Sequence, residues 1–381
     1  MADGGRTYQC GIVGLGAMGS AAAYHLARRG LDVIGFEQFE FGHPYGSSHG
    51  QSRVFRTTYE DPFYVQLAVE SLSMWRTLET QSDQKLLDLC GLLVFSNQGN
   101  PRFADTISAL RTSGIPYEIV DGKEASRRTE YLALPDKTMV LIGEQNGYLR
   151  ADLAVNTMRM KAVEHGAQLL DRCKVTDVHS EESPRCVATT QGDFRVEQLI
   201  VTAGPWLTQA VSSLRIPIVV TREQKVYFNL IDGTGVGLQQ WPVFCDYETG
   251  NYGFPSLDNK TIKVAADHAG IEICPNNVNR VVDTYYVEDM ACWLNRVAPQ
   301  SMESFASGSV CLYSTTPDRD FILGRHPKDD TMVIAGGFSG HGFKFSVLIG
   351  DILADLVIHG TTHRDIHRFD PSRFDLINDD R

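Results

Sequence analysis

The chain has no run approaching the ~18 consecutive apolar residues that a membrane-spanning helix requires. It has no CxxC pair and no tight His/Cys cluster, which argues against a structural zinc site, and no metal is expected. Its eight cysteines, at 10, 90, 173, 186, 245, 274, 292 and 311, are dispersed, as suits a reducing compartment in which most serve as small buried apolar groups. No internal repeat and no low-complexity linker interrupts the sequence. Excess positive charge is also missing: the formal net charge is −12, which argues against nucleic acid or an anionic membrane as the main partner. The start carries no secretory signal pattern, because the apolar stretch Cys10–Gly14 runs into glycine and then a helix bearing Arg28 and Arg29. The end, Asn378-Asp379-Asp380-Arg381, is not a Ser-Lys-Leu address. A cytoplasmic location is the expectation.

At 381 residues, 43% hydrophobic and 22% charged, the chain is long enough for two domains with ordinary soluble cores. Residues 8–13 read as a short buried strand, 17–29 as a helix with small residues on its packing face, and 31–36 as a second strand closed by Glu37. This is a βαβ unit in about thirty residues, and its first turn holds Gly14-x-Gly16-x-x-Gly19. Between a strand and a helix, such a fingerprint cradles a dinucleotide. The first glycine permits the tight turn, and the second lets a pyrophosphate reach backbone N–H groups at the helix N-terminus. Glu37, 18 residues beyond Gly19, is placed to accept both ribose hydroxyls and would repel the 2′-phosphate of NADP. FAD and NAD both stay open here, since Gly14-Leu15-Gly16-Ala17-Met18-Gly19 also suits a nicotinamide-dependent dehydrogenase. The later stretch Leu199-Ile200-Val201-Thr202-Ala203-Gly204-Pro205-Trp206, a buried strand ending in a small-residue turn, favours FAD.

Further helices are expected over 63–80, 103–113, 152–166, 279–296 and 346–358. Strands are expected at 91–95, 168–170, 173–178, 187–190, 199–201, 218–220, 225–229, 260–265 and 331–335. The pattern predicts an α/β nucleotide domain assembled from 1–82, 150–215 and 316–381, with a sheet-rich substrate domain from 83–149 and 216–315.

Two segments carry the chemistry. In Gly46-Ser47-Ser48-His49-Gly50-Gln51-Ser52-Arg53-Val54-Phe55-Arg56, one histidine and two arginines fall within eight residues. Burying both Arg53 and Arg56 calls for anionic partners, such as a reduced flavin and a substrate carboxylate gripped bidentately. Near the other end, Cys311-Leu312-Tyr313 is followed 33 residues after the cysteine by Lys344, within Gly336-Gly337-Phe338-Ser339-Gly340-His341-Gly342-Phe343-Lys344.

With these blocks, together with Tyr252-Gly253-Phe254-Pro255-Ser256 and Pro317-Asp318, the chain resembles the monomeric sarcosine oxidase family over essentially its whole length. That family includes N-methyltryptophan oxidase and the sarcosine/pipecolate oxidases. The resemblance implies a Rossmann-type FAD-binding domain of the glucose-oxidase/D-amino-acid-oxidase kind plus a mixed β-sheet substrate domain. It implies FAD tethered to Cys311 by an 8α-S-cysteinyl link and held along Gly14, Gly16, Gly19, Glu37, Ser47, Arg53, Val175, Gly204, Gly340 and Lys344. Lys344 and Arg56 would hold the substrate carboxylate, His49 and Arg53 would lie against the flavin ring, and Tyr252 would border the substrate. Lys263 would assist oxygen reduction beside flavin N5, where a cation stabilises the charge that develops.

The chain departs from the family in one place. Lys263-Val264-Ala265-Ala266-Asp267-His268 has four residues between lysine and histidine where the family has three. Either Asp267 takes the histidine's place or an insertion returns His268 to it, and a one-residue slip reverses side-chain direction in a strand. The implied activity is that of a monomeric FAD-dependent oxidase. It would act on secondary amines, N-methyl or cyclic α-amino acids, with O2 as acceptor, giving an imine and hydrogen peroxide. The alternatives are a fructosyl-amino-acid oxidase, an NAD-dependent dehydrogenase, and a flavin-binding module without turnover.

Overall fold

The computed structural model describes residues 6–129, 132–179, 183–231 and 241–374, so the chain end 378–381 discussed above lies outside the described residues. β1 (Thr7–Val13), α1 (Ala17–Arg28) and β2 (Val33–Phe36) form the expected βαβ unit. β1 pairs in parallel with β2 on one side and with Gly192–Val201 on the other. Gln168–Leu170 extends the sheet beyond β2, and Asp329–Gly336 extends it beyond Gly192–Val201, both in parallel. Three antiparallel strands, Val175–His179, Arg185–Thr189 and Ile322–His326, complete eight. The central parallel strands are covered on both faces, which is why they read as continuous apolar runs.

α1 lies between the helices Ala151–Glu164 and Ser346–His359. Ala21, Ala22 and Ala23 are fully buried there. A Cβ added to Gly350 would sit 2.5 Å from the Cβ of Ala21, so the small residues seen in the sequence permit two backbones to approach closely.

β3 (Arg53–Phe55) belongs to a small sheet with Leu87–Asp88 and Gly147–Leu149. The second large sheet has nine strands, in the order 271–272, 219–230, 261–266, 251–253, 243–246, 92–96, 139–143 and 118–121, with Met302–Thr315 also pairing with Val219–Leu230. It is mixed: Val243–Asp246 runs parallel to Leu92–Ser96 and the other pairings are antiparallel. One face packs Val226, Phe228, Ile262 and Val264 under Met290, Trp293, Leu294 and Val297 of the helix Thr284–Val297. The opposite face is turned towards the first sheet.

Three expectations need correction. The strands expected at 218–220 and 225–229 are one strand, Val219–Leu230. The charged residues Arg222 and Glu223 between them look like a turn in sequence, but they are paired along Met302–Thr315. The helix expected from 279 begins at Thr284. Arg222, 4% exposed, takes the Asn279 and Val281 carbonyls and the Asp283 carboxylate as its partners, so those groups are committed before a helix can start. Finally, of the eight cysteines expected to be mostly buried, Cys10 and Cys173 are buried, Cys90, Cys186, Cys245 and Cys311 are half-buried, and Cys274 and Cys292 are exposed; Cys292 falls off the apolar stripe of its helix. Among the described residues no helix is long and apolar enough to cross a membrane.

Candidate active site

The carboxyl ends of β1, β2, Gly192–Val201 and Asp329–Gly336 face the free side of the nine-stranded sheet across a cavity of about 600 Å³. The crevice beyond the carboxyl ends of parallel strands is where a doubly wound sheet receives its ligand. Gly14, Gly16, Glu37, Ser47, His49, Arg53, Arg56, Val175, Gly204, Tyr252, Lys263, Cys311, Gly340 and Lys344 all line this one cavity. Gly19 does not. A Cβ there would fall 1.9 Å from the Gly14 carbonyl oxygen, so Gly19 lets α1 pack against the turn.

At one end lies the glycine turn, with Gly14 at φ +90° and the Thr202 carbonyl oxygen 2.7 Å from where its Cβ would be. Gly16, the N-cap of α1, has no side chain to cap it, so the first turn opens beside the cavity, where the Ala17 N–H donates to Ser48 Oγ at 2.9 Å. Glu37, 6% exposed, accepts from the N–H groups of Leu15 and Phe39 at 3.0 and 3.1 Å, which ties the fingerprint turn to the end of β2. His43 Nε2 also lies 3.3 Å from Glu37 Oε1; with about four acceptor positions on a carboxylate, capacity is left for a ribose hydroxyl. An open helix N-terminus, a glycine cradle and this carboxylate are the donor and acceptor set that a dinucleotide needs.

In the middle, the loop before β3 is held by its own arginine. Arg53 donates to the carbonyls of Ser52, Ser47 and His49 at 3.0, 2.8 and 2.6 Å, so its burial needs no anion, contrary to the sequence argument. Ser47 Oγ donates to the Leu312 carbonyl at 2.6 Å, which ties the loop to the strand carrying Cys311. Burial first, then the charges of Lys225 and Arg53, push the His49 imidazole down to about 2, and it is neutral. Cys311 sits opposite Glu223 in the pairing of Met302–Thr315 with Val219–Leu230. Cys173 and Cys245 also line the cavity, and burial pushes the Cys245 thiol up to about 12, so it stays protonated.

At the far end two basic side chains converge on one phenol. The Arg56 guanidinium lies 4.2 Å from the Tyr59 ring centroid and donates to the Thr58 carbonyl. Burial opposes its charge, but Tyr59, Tyr247 and Glu60 outweigh burial and hold it charged. Lys344, 4% exposed, donates to the Tyr59 hydroxyl and the His341 carbonyl, both at 2.8 Å. Burial, then the neighbouring Arg56, push its pKa well below the usual lysine range. Tyr252 lies across the sheet from Cys245, and burial pushes its phenol up.

The question of Asp267 or His268 is resolved by strand period. Thr261–Ala266 sends Ile262 and Val264 into the core and Lys263 to the cavity. Asp267, two further pairs along, returns to the cavity side, where it accepts from the Tyr313 hydroxyl at 3.3 Å. His268 sits in the following turn at φ +54°, its ring edge on Tyr313, and does not line the cavity. Lys263 Nζ donates to the Ser52 carbonyl and hydroxyl at 2.9 and 3.1 Å and lies 4.1 Å from the Phe254 ring centroid.

Sequence reasoning passed over Tyr59, Glu223 and Lys225. Glu223 and Lys225 are 3% and 4% exposed and line the cavity. Their signal was charge at every position from Arg222 to Lys225 save one, within a sheet-rich stretch: in a strand, half of those residues must face inward.

A family model described as FAD dependent oxidoreductase matches residues 10–356, and the chain belongs to that family. The open choice between FAD and NAD is thereby settled for FAD. Within this class the chain groups with the monomeric sarcosine oxidases: it is 33% identical over 375 residues to that of Streptomyces avermitilis, across 96% of this chain and 98% of the relative. It is 28% identical over 375 residues to N-methyl-L-tryptophan oxidase of Yersinia pestis, across 96% and 99%. The fold matches the solved open form of NikD, described as an unusual amino acid oxidase essential for nikkomycin biosynthesis, with a TM-score of 0.85 at 23% identity over 96% and 98% of the two chains.

Proposed function

We propose that the protein is an oxidase of secondary amines, most of all N-methyl or cyclic α-amino acids of the sarcosine type, with FAD held covalently by Cys311. The observation that carries this reading is the pairing of Arg56 and Lys344 on Tyr59 in the same cavity as Asp267. An α-amino acid offers a carboxylate and an ammonium, and this cavity offers a guanidinium, a lysine that an arriving carboxylate would protonate, and a carboxylate to match them. Bound flavin supplies a two-electron acceptor. The chain's own residues would do the rest. Arg56 and Lys344 orient the substrate through its carboxylate. Asp267 takes a proton from the ammonium, leaving the neutral amine that can be oxidised. Tyr252, a protonated phenol, closes the apolar side. Lys263, whose pKa burial pushes well below the usual lysine range, places an N–H donor where oxygen is reduced.

In this reading residues 1–82, 150–215 and 316–381 hold the cofactor and 83–149 with 216–315 hold the substrate. The enzyme is taken as a cytoplasmic monomer, for which the dispersed thiols and the name of the Streptomyces relative speak.

The test is the visible spectrum before and after acid precipitation, followed by a peroxide assay with sarcosine, N-methyltryptophan, pipecolate and a fructosyl amino acid. Yellow colour that stays in the pellet, moves to the supernatant in Cys311→Ala, and accompanies peroxide from an N-methyl or cyclic amino acid supports the proposal. A yellow wild-type supernatant removes the tether. Turnover of the fructosyl amino acid alone replaces the substrate class.

A further inference from the structure

Lys225 has a buried cation without a protein partner. Its side chain is 4% exposed, and Nζ makes no hydrogen bond to the protein, although an unpaired buried charge is costly. A Cβ added to Gly50 would lie 2.8 Å from Nζ, so the ammonium sits against the loop that Arg53 holds. Lys225 lines two cavities: the main one, and a smaller one of about 300 Å³. Asp152, Asp258, Tyr227, Thr261, Ser307 and Ser309 make the wall of the smaller cavity polar. Strand pairing explains this, since Lys225 opposes Ser309 and Tyr227 opposes Ser307 on one face of the sheet.

We infer that Lys225 delivers a proton to dioxygen as it is reduced in the main cavity, and that the small polar cavity is the route by which solvent protons reach Lys225. This rests on the oxidase reading above. Reducing dioxygen to hydrogen peroxide takes two electrons and two protons. The reduced cofactor would supply both electrons and one proton; Lys225 Nζ gives the second proton and regains one from solvent.

The charges around Nζ suit that task. Burial, then Arg53 on β3, push Lys225 down while Asp152 opposes them, and the outcome is about 8. His49 and Lys263 face it as well, from the preceding loop and the neighbouring strand. Asp258 and Tyr227 stand in the wall of the smaller cavity. Lys263, by contrast, is fully engaged by Ser52 and Phe254.

The experiment photoreduces the holoenzyme without any amine, mixes it with oxygen and follows the flavin absorbance across pH values on either side of 8. In the wild type, reoxidation should slow as pH rises through about 8. Lys225→Met should be at least about tenfold slower below that pH and lack the inflexion, as loss of a general acid predicts. Lys225→Arg separates charge from proton delivery, because arginine stays protonated. It should keep wild-type affinity for sulfite, read as bleaching of the flavin band, yet reoxidise as slowly as Lys225→Met. Sulfite affinity should fall in Lys225→Met. Reoxidation of Lys225→Met at the wild-type rate with the same pH profile overturns the inference. So does rapid reoxidation of Lys225→Arg. Failure of every amine to reduce the wild type would instead sink the substrate reading, and photoreduction would still decide the role of Lys225.

Discussion

Lys344 and Arg56 share Tyr59, yet their protonation behaviour differs, and that difference is measurable. Burial and Arg56 hold Lys344 well below its ordinary range, whereas Arg56 keeps its charge. A carboxylate arriving beside Lys344 favours the ammonium, so binding takes up a proton once the pH exceeds the free-cavity pKa. Affinity for a carboxylated amine should therefore fall as pH rises, and calorimetry in buffers of different ionisation heat should report net proton uptake. Lys344→Met should abolish that uptake. It should raise KM for carboxylated amines roughly tenfold to a hundredfold, the value of about 1.5–3 kcal/mol for a charged hydrogen bond. A decarboxylated analogue should be indifferent to the change, and an unchanged KM in the variant would remove Lys344 from the clamp. Asp267→Asn should reduce kcat/KM most at low pH, where the substrate ammonium still has its proton to lose.

Between elements, the contact of α1 with the last helix, Ser346–His359, is where backbone approach matters most. Gly350 lies against Ala21, and a larger side chain would have to displace backbone as well as a methyl group. Gly350→Val should destabilise by about 1–3 kcal/mol through overpacking, seen as a lower midpoint in urea. The same pair of helices is joined by Asp351, which meets His25 Nδ1 at 3.1 Å and Arg364 Nη1 at 2.9 Å and also pairs with Arg29. Burial opposes ionisation of Asp351, but His25, Arg29 and Arg364 outweigh it and hold the carboxyl below its usual range. A depressed carboxyl stabilises the fold above its unfolded pKa, and that contribution is lost as pH falls through the folded pKa. The stability difference between wild type and Asp351→Asn should accordingly narrow on acidification below about pH 4.

Across the whole molecule, one cavity separates two large sheets, and FAD would touch residues of both, from Gly14 to Cys311. A ligand that binds only the folded state adds RT ln(1 + [L]/Kd), about 2.7 kcal/mol at a hundredfold excess over Kd. In Cys311→Ser, where any flavin is exchangeable, Tm should rise with added FAD, while a wild type tethered through Cys311, as proposed, should not respond. The nucleotide end was legible in the amino-acid order because its parts are contiguous: strand, glycine turn, helix and Glu37 lie within one βαβ unit, whose pattern local propensity dictates. The candidate oxidation site was legible only where family blocks carried it. Tyr59 and Lys344 are 285 positions apart and meet only when the last helix docks. Whether Asp267 or His268 faces inward depends on the residue at which one strand ends, and Lys225 turns inward because Val219–Leu230 is a single strand rather than two. Sequence by itself therefore determined the dinucleotide cradle and the βαβ frame, which are properties of neighbouring residues. Tertiary structure alone decided which charges are buried together, because strand register and the crossing of distant segments set side-chain direction, and no local pattern contains either.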